Sequence, residues 1–482
     1  MDQRPNGMFA VLRHGPFRWI WAGAMVSNVG NWMEAVGQSW LVQQQTASPF
    51  MVELLAASEF VPHALLMLAA GWLADHYDRR KLLLAGQTLM MIFGAVLALA
   101  AHLGHASPWL IIAISFAEGA SWASVTPSWQ ALVPGLVPRD ELPAAIALNS
   151  AQFNTARLLG PMLAGALLSA ASAAVVFDVN VVSFLGIVVV LALVRVPQAA
   201  TQEKHAHVGG GIRPALKWVL HERGPRRIIL GLFFFALFAA PVQGLLPAMA
   251  DQVFHVGAHG YGILLSCLGA GAIAGALTLA RLRNDYPRHH LIPLSMLAFA
   301  ICASIYASAR SPLVAGAALA VGGVFWVWSL SSSSTAMQLL VPERLRGRAM
   351  SVLALATTGP LPVGHLLGGT IAHYVGPRAG VLAPIAVLGC FAAWSAWARE
   401  PAIDAMQLPP PAPKGLREAI WEALTAASHR AQEVEPRAAE PLEEPALPAT
   451  GGARKGGALV EEPALPATGG ARKGGALVEE PE

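Results

Sequence analysis

Apolar runs separated by short polar breaks occupy the chain from residue 17 to residue 399. They fall at 17–42, 52–75, 82–103, 108–133, 142–169, 172–195, 227–250, 258–281, 290–309, 312–340, 347–375 and 379–399. A bilayer core about 30 Å thick takes roughly 20 helical residues, so each run is long enough to cross it. Several are longer, which predicts tilt or extension past the lipid. The pattern predicts an all-α integral membrane protein with twelve transmembrane helices in two sets of six, at 1–195 and 227–399. The linker between them, 196–226, contains Gly209-Gly210-Gly211 and a short amphipathic stretch from Ile212 to Glu222. Weak internal symmetry fits a duplicated chain: Gly275 to Arg283 repeats the glycine-then-basic outline of Gly71 to Arg80, without its aspartate.

Polar residues inside the runs mark the candidate chemistry. Ser27, Asn31, Glu34 and Gln38 are spaced i, i+4, i+7 and i+11, which puts them on one helical face. An ionisable group at membrane depth costs about 2.5–3.5 kcal/mol on insertion scales, so it normally faces a cavity or a partner. The stripe therefore either lines a cavity or locks the first helix to a neighbour. Glu59 precedes Pro62 and His63 in the second run, and Glu118 shares a face with Trp122 and Trp129 in the fourth. Arg157 lies well inside the fifth, in RLLGPMLAG, where Gly160, Pro161 and Gly165 predict a kinkable, closely packed helix. Two roles stand side by side for these charges. Glu34, Glu59 and Glu118 are candidates for a carboxylate that alternates between protonated and substrate-released states, or Arg157 forms a structural ion pair with one of them. The second set of runs offers Gln243, Trp326, Trp328, Ser329 and Gln338 as polar and aromatic contacts.

Charge placement sets the expected orientation. The amino-terminal segment and the even-numbered loops together carry twenty Lys and Arg, whereas the odd-numbered loops hold only Arg310 and Arg378. Positive charge is retained in the cytoplasm, so both termini are expected inside a bacterial inner membrane. Only 13% of residues are charged, far below the quarter or so typical of soluble proteins. Cys267, Cys302 and Cys390 all lie within runs and read as packing residues, with neither disulfide nor metal spacing. The first run is expected to be retained as a helix, being too long for a signal-peptide core.

Beyond Glu400 the composition changes. Residues 407–414 are proline-rich, and Leu416, Ile420, Trp421 and Leu424 outline a short amphipathic helix. From Glu443, EEPALPATGGARKGGALV occurs twice in tandem. This density of Pro, Gly and charge predicts a cytoplasmic tail over 400–482 that is mostly disordered.

Residues 71–86 read GWLADHYDRRKLLLAG between two apolar runs. Gly71, Leu73, Asp75, Arg79 and Arg80 match the loop between the second and third helices of major facilitator superfamily transporters, while His76 and Asp78 depart from the general pattern. Three further stretches narrow the resemblance: FRWIWAGAMVSNVGNWMEAVGQSWLV, LVPGLVPRDELPAAIALNSAQFNTARLLGPMLAG and QLLVPERLRGRAMSVLALATTG. They look like the branch containing the enterobactin exporter, also called transmembrane secretion effectors, where Asp at the position of Asp78 is common. The likeness covers residues 9 to about 399. It implies that Gly71, Asp75, Asp78, Arg79 and Arg80 form a cytoplasmic gate, closed by loop arginines and by an aspartate at the eleventh helix's N-terminus. Glu34 stands where the branch often has a neutral residue, which favours a cationic substrate or proton coupling.

The expectation is a secondary active exporter that exchanges protons for a small amphipathic molecule, drug or siderophore-like, by alternating access. Alternatives are lipid flipping or solute import on the same fold, or a transporter-like sensor or scaffold. No Gly-Lys dipeptide occurs, which excludes a P-loop within this chain, and no HExxH, GxSxG or Cys/His cluster suggests an enzyme. No cofactor and no metal are expected, with the proton gradient as energy source; His205 and His207 read as part of a solvated linker. Expected partners are the lipid bilayer and a small-molecule substrate, with no nucleic acid and a monomeric protein.

Overall fold

The computed structural model describes residues 8–138, 141–194, 213–281, 288–342 and 345–398, without the side chains of 8–10, 67–76, 127, 131, 133, 134, 213, 280 and 288. Every regular element among the described residues is helical. In lipid each backbone N–H and C=O must be satisfied within its own segment, and the helix achieves that. The first six long helices are α1 (Gly15–Thr46), α2 (Pro49–His76), α3 (Arg79–His102), α4 (Pro108–Leu132), α5 (Leu142–Ala170) and α6 (Ala173–Leu193). Then come a short α7 (Arg213–His221), α8 (Arg223–Gly244), α9 (Gly257–Arg281), α10 (Arg288–Ser308) and α11 (Pro312–Leu340). The last are α12 (Arg346–Thr358), α13 (Leu361–Val375) and α14 (Pro377–Trp397). Part of the expected linker is therefore ordered as α7, on the amphipathic stretch, and α8 begins four residues before the expected 227.

Among the described residues ten stretches are long and apolar enough to cross a membrane. One runs from Arg223 to Val253, because α8 continues through a π-helical turn at Met249–Val253; another joins α12 to α13 across Gly359-Pro360. The helices α1 (32 residues) and α5 (29 residues) are long enough but more polar, carrying Glu34 and Arg157. Helix ends follow local chemistry. Proline occupies the first turn of α1, α5, α11 and α14, where its missing N–H costs nothing. Gly376, at φ 102°, supplies the tight turn between α13 and α14.

Packing pairs repeat along the chain. Helix α1 packs on α5 and α6, α2 on α4, and α3 on α4 and α6. In the second set α8 packs on α13 and α14, α9 on α11, and α10 on α11 and α14. The two sets meet through α5 on α9 and α2 on α13. Small residues permit these crossings: a Cβ on Gly165 would lie 2.9 Å from Ala258 O and 3.0 Å from Gly262 Cα. The described residues of both sets belong to one compact unit. The tail assigned to 400–482 lies outside the described residues.

Candidate functional site

The polar stripe of α1 turns toward α4 and α6, within the first set of helices. Glu34 is buried and accepts a hydrogen bond from Asn180 Nδ2 on α6. Ser183, one turn on, donates to Asn180 O at 2.7 Å and lies 3.1 Å from Asn180 Oδ1, fixing the amide. Gly30 faces this pair, where a Cβ would collide with both side chains. On the other side Gln38 Nε2 donates to Glu118 Oε2 at 3.1 Å. The carboxyls of Glu34 and Glu118 come within hydrogen-bonding reach of one another. Glu34 Oε1 and Glu118 Oε1 are both buried, and neither meets an N–H or hydroxyl donor. An ionised carboxylate only accepts, so a bond between two carboxyls requires a proton on one of them. The arrangement can hold a proton.

Glu59 adds a third acid. It is half-buried on α2, and its carboxyl has no hydrogen bond among the described residues. It is close enough to Glu34 and Glu118 to act on both electrostatically. Gly119 of α4 lies against the Glu59 backbone, which lets α2 and α4 approach closely. Asn31, also on α1, is half-buried.

Arg157 is separate from these acids. Its guanidinium lies 5.7 Å from the ring centroid of Trp32 on α1 and 5.9 Å from that of Trp326 on α11. No carboxylate pairs with it among the described residues, so the ion-pair alternative is not what this structure contains. Cation–π contact with two indoles leaves the guanidinium's hydrogen-bond donors available to an anion. Trp326 is held from behind by Phe235 and Phe299, with ring centroids at 5.2 and 5.3 Å. Gly160 meets Trp32 Cβ across the α1–α5 crossing, and Ser266 Oγ of α9 donates to Leu158 O at 3.0 Å, so α5 is gripped on both sides of Arg157. Pro161 is buried inside α5, its carbonyl facing Gly262.

Two expected contacts of the second set stand apart. Gln243 is half-buried at the next-to-last position of α8. Gln338 is exposed two residues from the end of α11, 3.5 Å from Ser334 Oγ, and is not at mid-depth with the cluster. Trp328 donates to Gly275 O at 2.9 Å, and Ser329 is buried against Ser295, so both serve helix packing.

At the loop expected to form a gate, the side chains of Gly71 and Asp75 lie outside the described residues. Asp78 caps α3, its Oδ1 accepting from Lys81 N at 3.0 Å. Arg79 is buried. Arg80 donates to Leu191 O at 2.7 Å and Ala192 O at 2.9 Å, capping the C-terminus of α6. In this conformation Asp78 caps its own helix, and Arg80 ties α3 to α6.

Sequence reasoning passes over one buried pair. Glu53, wholly buried on α2, bonds to His365 Nδ1 on α13. Glu53 sits one residue inside the expected run 52–75, and an acid at a run's edge ordinarily reaches water. His365 lies among glycines with no periodic signal. Their meeting is a product of the α2–α13 crossing. The same end of the bundle carries Gln43 Nε2 donating to Asp251 Oδ2 at 2.9 Å, and Gln252 Nε2 donating to Ala47 O at 2.8 Å.

Long apolar helices around buried carboxyls and Arg157 define a multi-pass membrane transporter. The chain belongs to the transmembrane secretion effector family, whose pattern matches residues 6–419. The staphyloferrin A transporter of Staphylococcus aureus (strain NCTC 8325 / PS 47) is 24% identical over 356 residues, which is 73% of this chain and 88% of that protein. The enterobactin exporter EntS of Escherichia coli O1:K1 / APEC is 26% identical over 362 residues, 74% of this chain and 85% of that one. In fold the chain is similar to a bacterial homologue of the human lysosomal transporter Spinster, crystallised inward-facing and unoccupied. The TM-score is 0.68 at 14% identity, covering 82% of this chain and 99% of that one.

Proposed function

We propose that the protein is a secondary active exporter of the bacterial inner membrane, driven by inward proton flow. Twelve helices cross the bilayer as two six-helix halves, 1–195 and 227–399, with both termini in the cytoplasm. The halves meet through α5–α9 and α2–α13 at the end remote from Arg79 and Arg80, which fits an inward-facing state. The observation that carries the reading is the buried Glu34–Glu118 contact, which can hold one proton with no cation beside it among the described residues. Taking up a proton and releasing it on the other face couples the gradient to cargo movement; the field alone contributes about 2.3 kcal/mol per proton per 100 mV. Glu59 extends the proton-handling cluster toward α13. Arg157, Trp32 and Trp326 serve the cargo, a small amphipathic molecule of the siderophore or drug kind. Asp75, Arg79 and Arg80 act as the cytoplasmic gate once the halves rock the other way.

A membrane-facing apolar groove of about 670 Å³ between α1, α5 and α6, lined by Val29, Leu163, Val179 and Ser183, favours lipid movement as the second reading. Proteoliposomes with an imposed pH gradient separate the two, offered enterobactin, staphyloferrin A, ethidium or a fluorescent phospholipid. The exporter reading predicts gradient-dependent movement of a soluble probe. Movement of the phospholipid alone supports flipping, and no movement of any probe counts against both.

A further inference from the structure

The geometry points to the Glu53–His365 pair as a second proton-binding site, a latch between the two sets of helices at the outer end of the bundle. The inference rests on the proton-coupled, alternating-access reading above. Glu53 and His365 are exposed by 0% and 5%, and their bond joins α2 to α13 across the interface that alternating access must open. The pair is boxed in. A Cβ on Gly244 of α8 would meet the carboxyl carbon of Glu53 at 2.6 Å and His365 Nδ1 at 2.7 Å. One on Gly369 of α13 would meet Glu53 Cβ at 2.7 Å. The ring of Phe60 stacks on His365 at 5.9 Å between centroids and 6° between planes. Glu53 Oε1 and the hydroxyl of Tyr306 are buried without a hydrogen-bond partner. Such a box admits one proton between Oε2 and Nδ1 and excludes water.

The other titratable groups around it are few. Glu59 shares α2 with Glu53 and interacts electrostatically with His365. Tyr306 of α10 senses both Glu53 and Tyr261 of α9. His373 of α13 packs on Phe50, one turn before Glu53, and Asp251 is held by Gln43. Glu59 is thus the acid that faces both this pair and the Glu34–Glu118 contact.

The proton count follows from that placement. Closed, the pair shares one proton between Glu53 Oε2 and His365 Nδ1. When α2 and α13 part, the carboxylate meets external water and takes a proton from hydronium, so the two groups hold two. Reclosure re-forms the single-proton pair, and the displaced proton passes to the Glu59 carboxylate. One proton thereby moves inward for each opening of the outer face.

The test is a distance measurement on full-length protein in lipid vesicles, with protons as the probe. Spin labels replace Leu103 and Leu313, both exposed at the outer end, after Cys267, Cys302 and Cys390 are changed to Ala. Wild type is expected to shift toward longer outer distances as pH falls from about 8 to about 5, because the open pair holds one proton more than the closed pair. Glu53→Gln should open the outer face and abolish that pH response, and His365→Gln should do the same. A Glu53→Gln protein that follows the wild-type curve overturns the latch while leaving alternating access intact. Outer distances that never change with pH in wild type overturn the latch even if neither variant folds. Transport of no probe in the pH-gradient screen is what separately removes the exporter reading.

Discussion

Glu34 and Glu118 sit in a position no soluble core would assign to two acids, close enough to interact and without a balancing cation among the described residues. Glu34→Gln keeps the shape and removes the titratable group. Export driven by a pH gradient should fall on the order of tenfold or more, a free-energy change of about 1.4 kcal/mol or more, while probe binding persists. Comparing vesicle flux with equilibrium binding checks this. Arg157→Gln should act differently: it removes two cation–π contacts, each worth about 0.5–2 kcal/mol, and the cation that lies beside both indoles. Binding of an acidic probe such as enterobactin should weaken while ethidium binding holds, as isothermal titration would record. The α1 stripe was legible because helical spacing alone puts Ser27, Glu34 and Gln38 on one face. Asn180, Glu53 and His365 were not, since each acquires meaning only from the helix packed against it.

Among elements, the crossings and caps carry the testable weight. Gly165→Val would force the α5–α9 crossing apart where backbone already touches backbone. Overpacking of this kind costs about 1–3 kcal/mol. The variant should melt earlier in detergent and populate the outer-open state, seen as a longer Leu103–Leu313 label distance. Arg80→Ala removes two charge-assisted bonds to the last carbonyls of α6, each worth about 1.5–3 kcal/mol. It should lower thermal stability, a loss that a role confined to gating would not produce. The apolar runs located nearly every long helix within a few residues. Where they fell short, backbone detail decided: the π-helical turn after α8 and the break at Gly359-Pro360 leave hydropathy unchanged. Run membership says nothing of depth, so the position of Gln338 near the end of α11 was not legible.

For the whole molecule, the packing pairs of the first set of helices recur in the second, and the two sets meet at α2–α13 and α5–α9. The duplicated outline in the sequence was faint, because packing geometry repeats while side chains have diverged. If the tail serves no transport role, deleting residues 401–482 should leave vesicle flux unchanged; a sensor or scaffold would lose its output. The central claim is that cargo and protons move in opposite directions through one chain. The most direct measurement loads vesicles with a pH-sensitive dye and applies a gradient of whichever probe is transported. Outward cargo flux should draw protons inward, and Glu118→Gln should abolish the proton signal. Cargo movement with no accompanying proton movement in the wild-type protein would contradict the account.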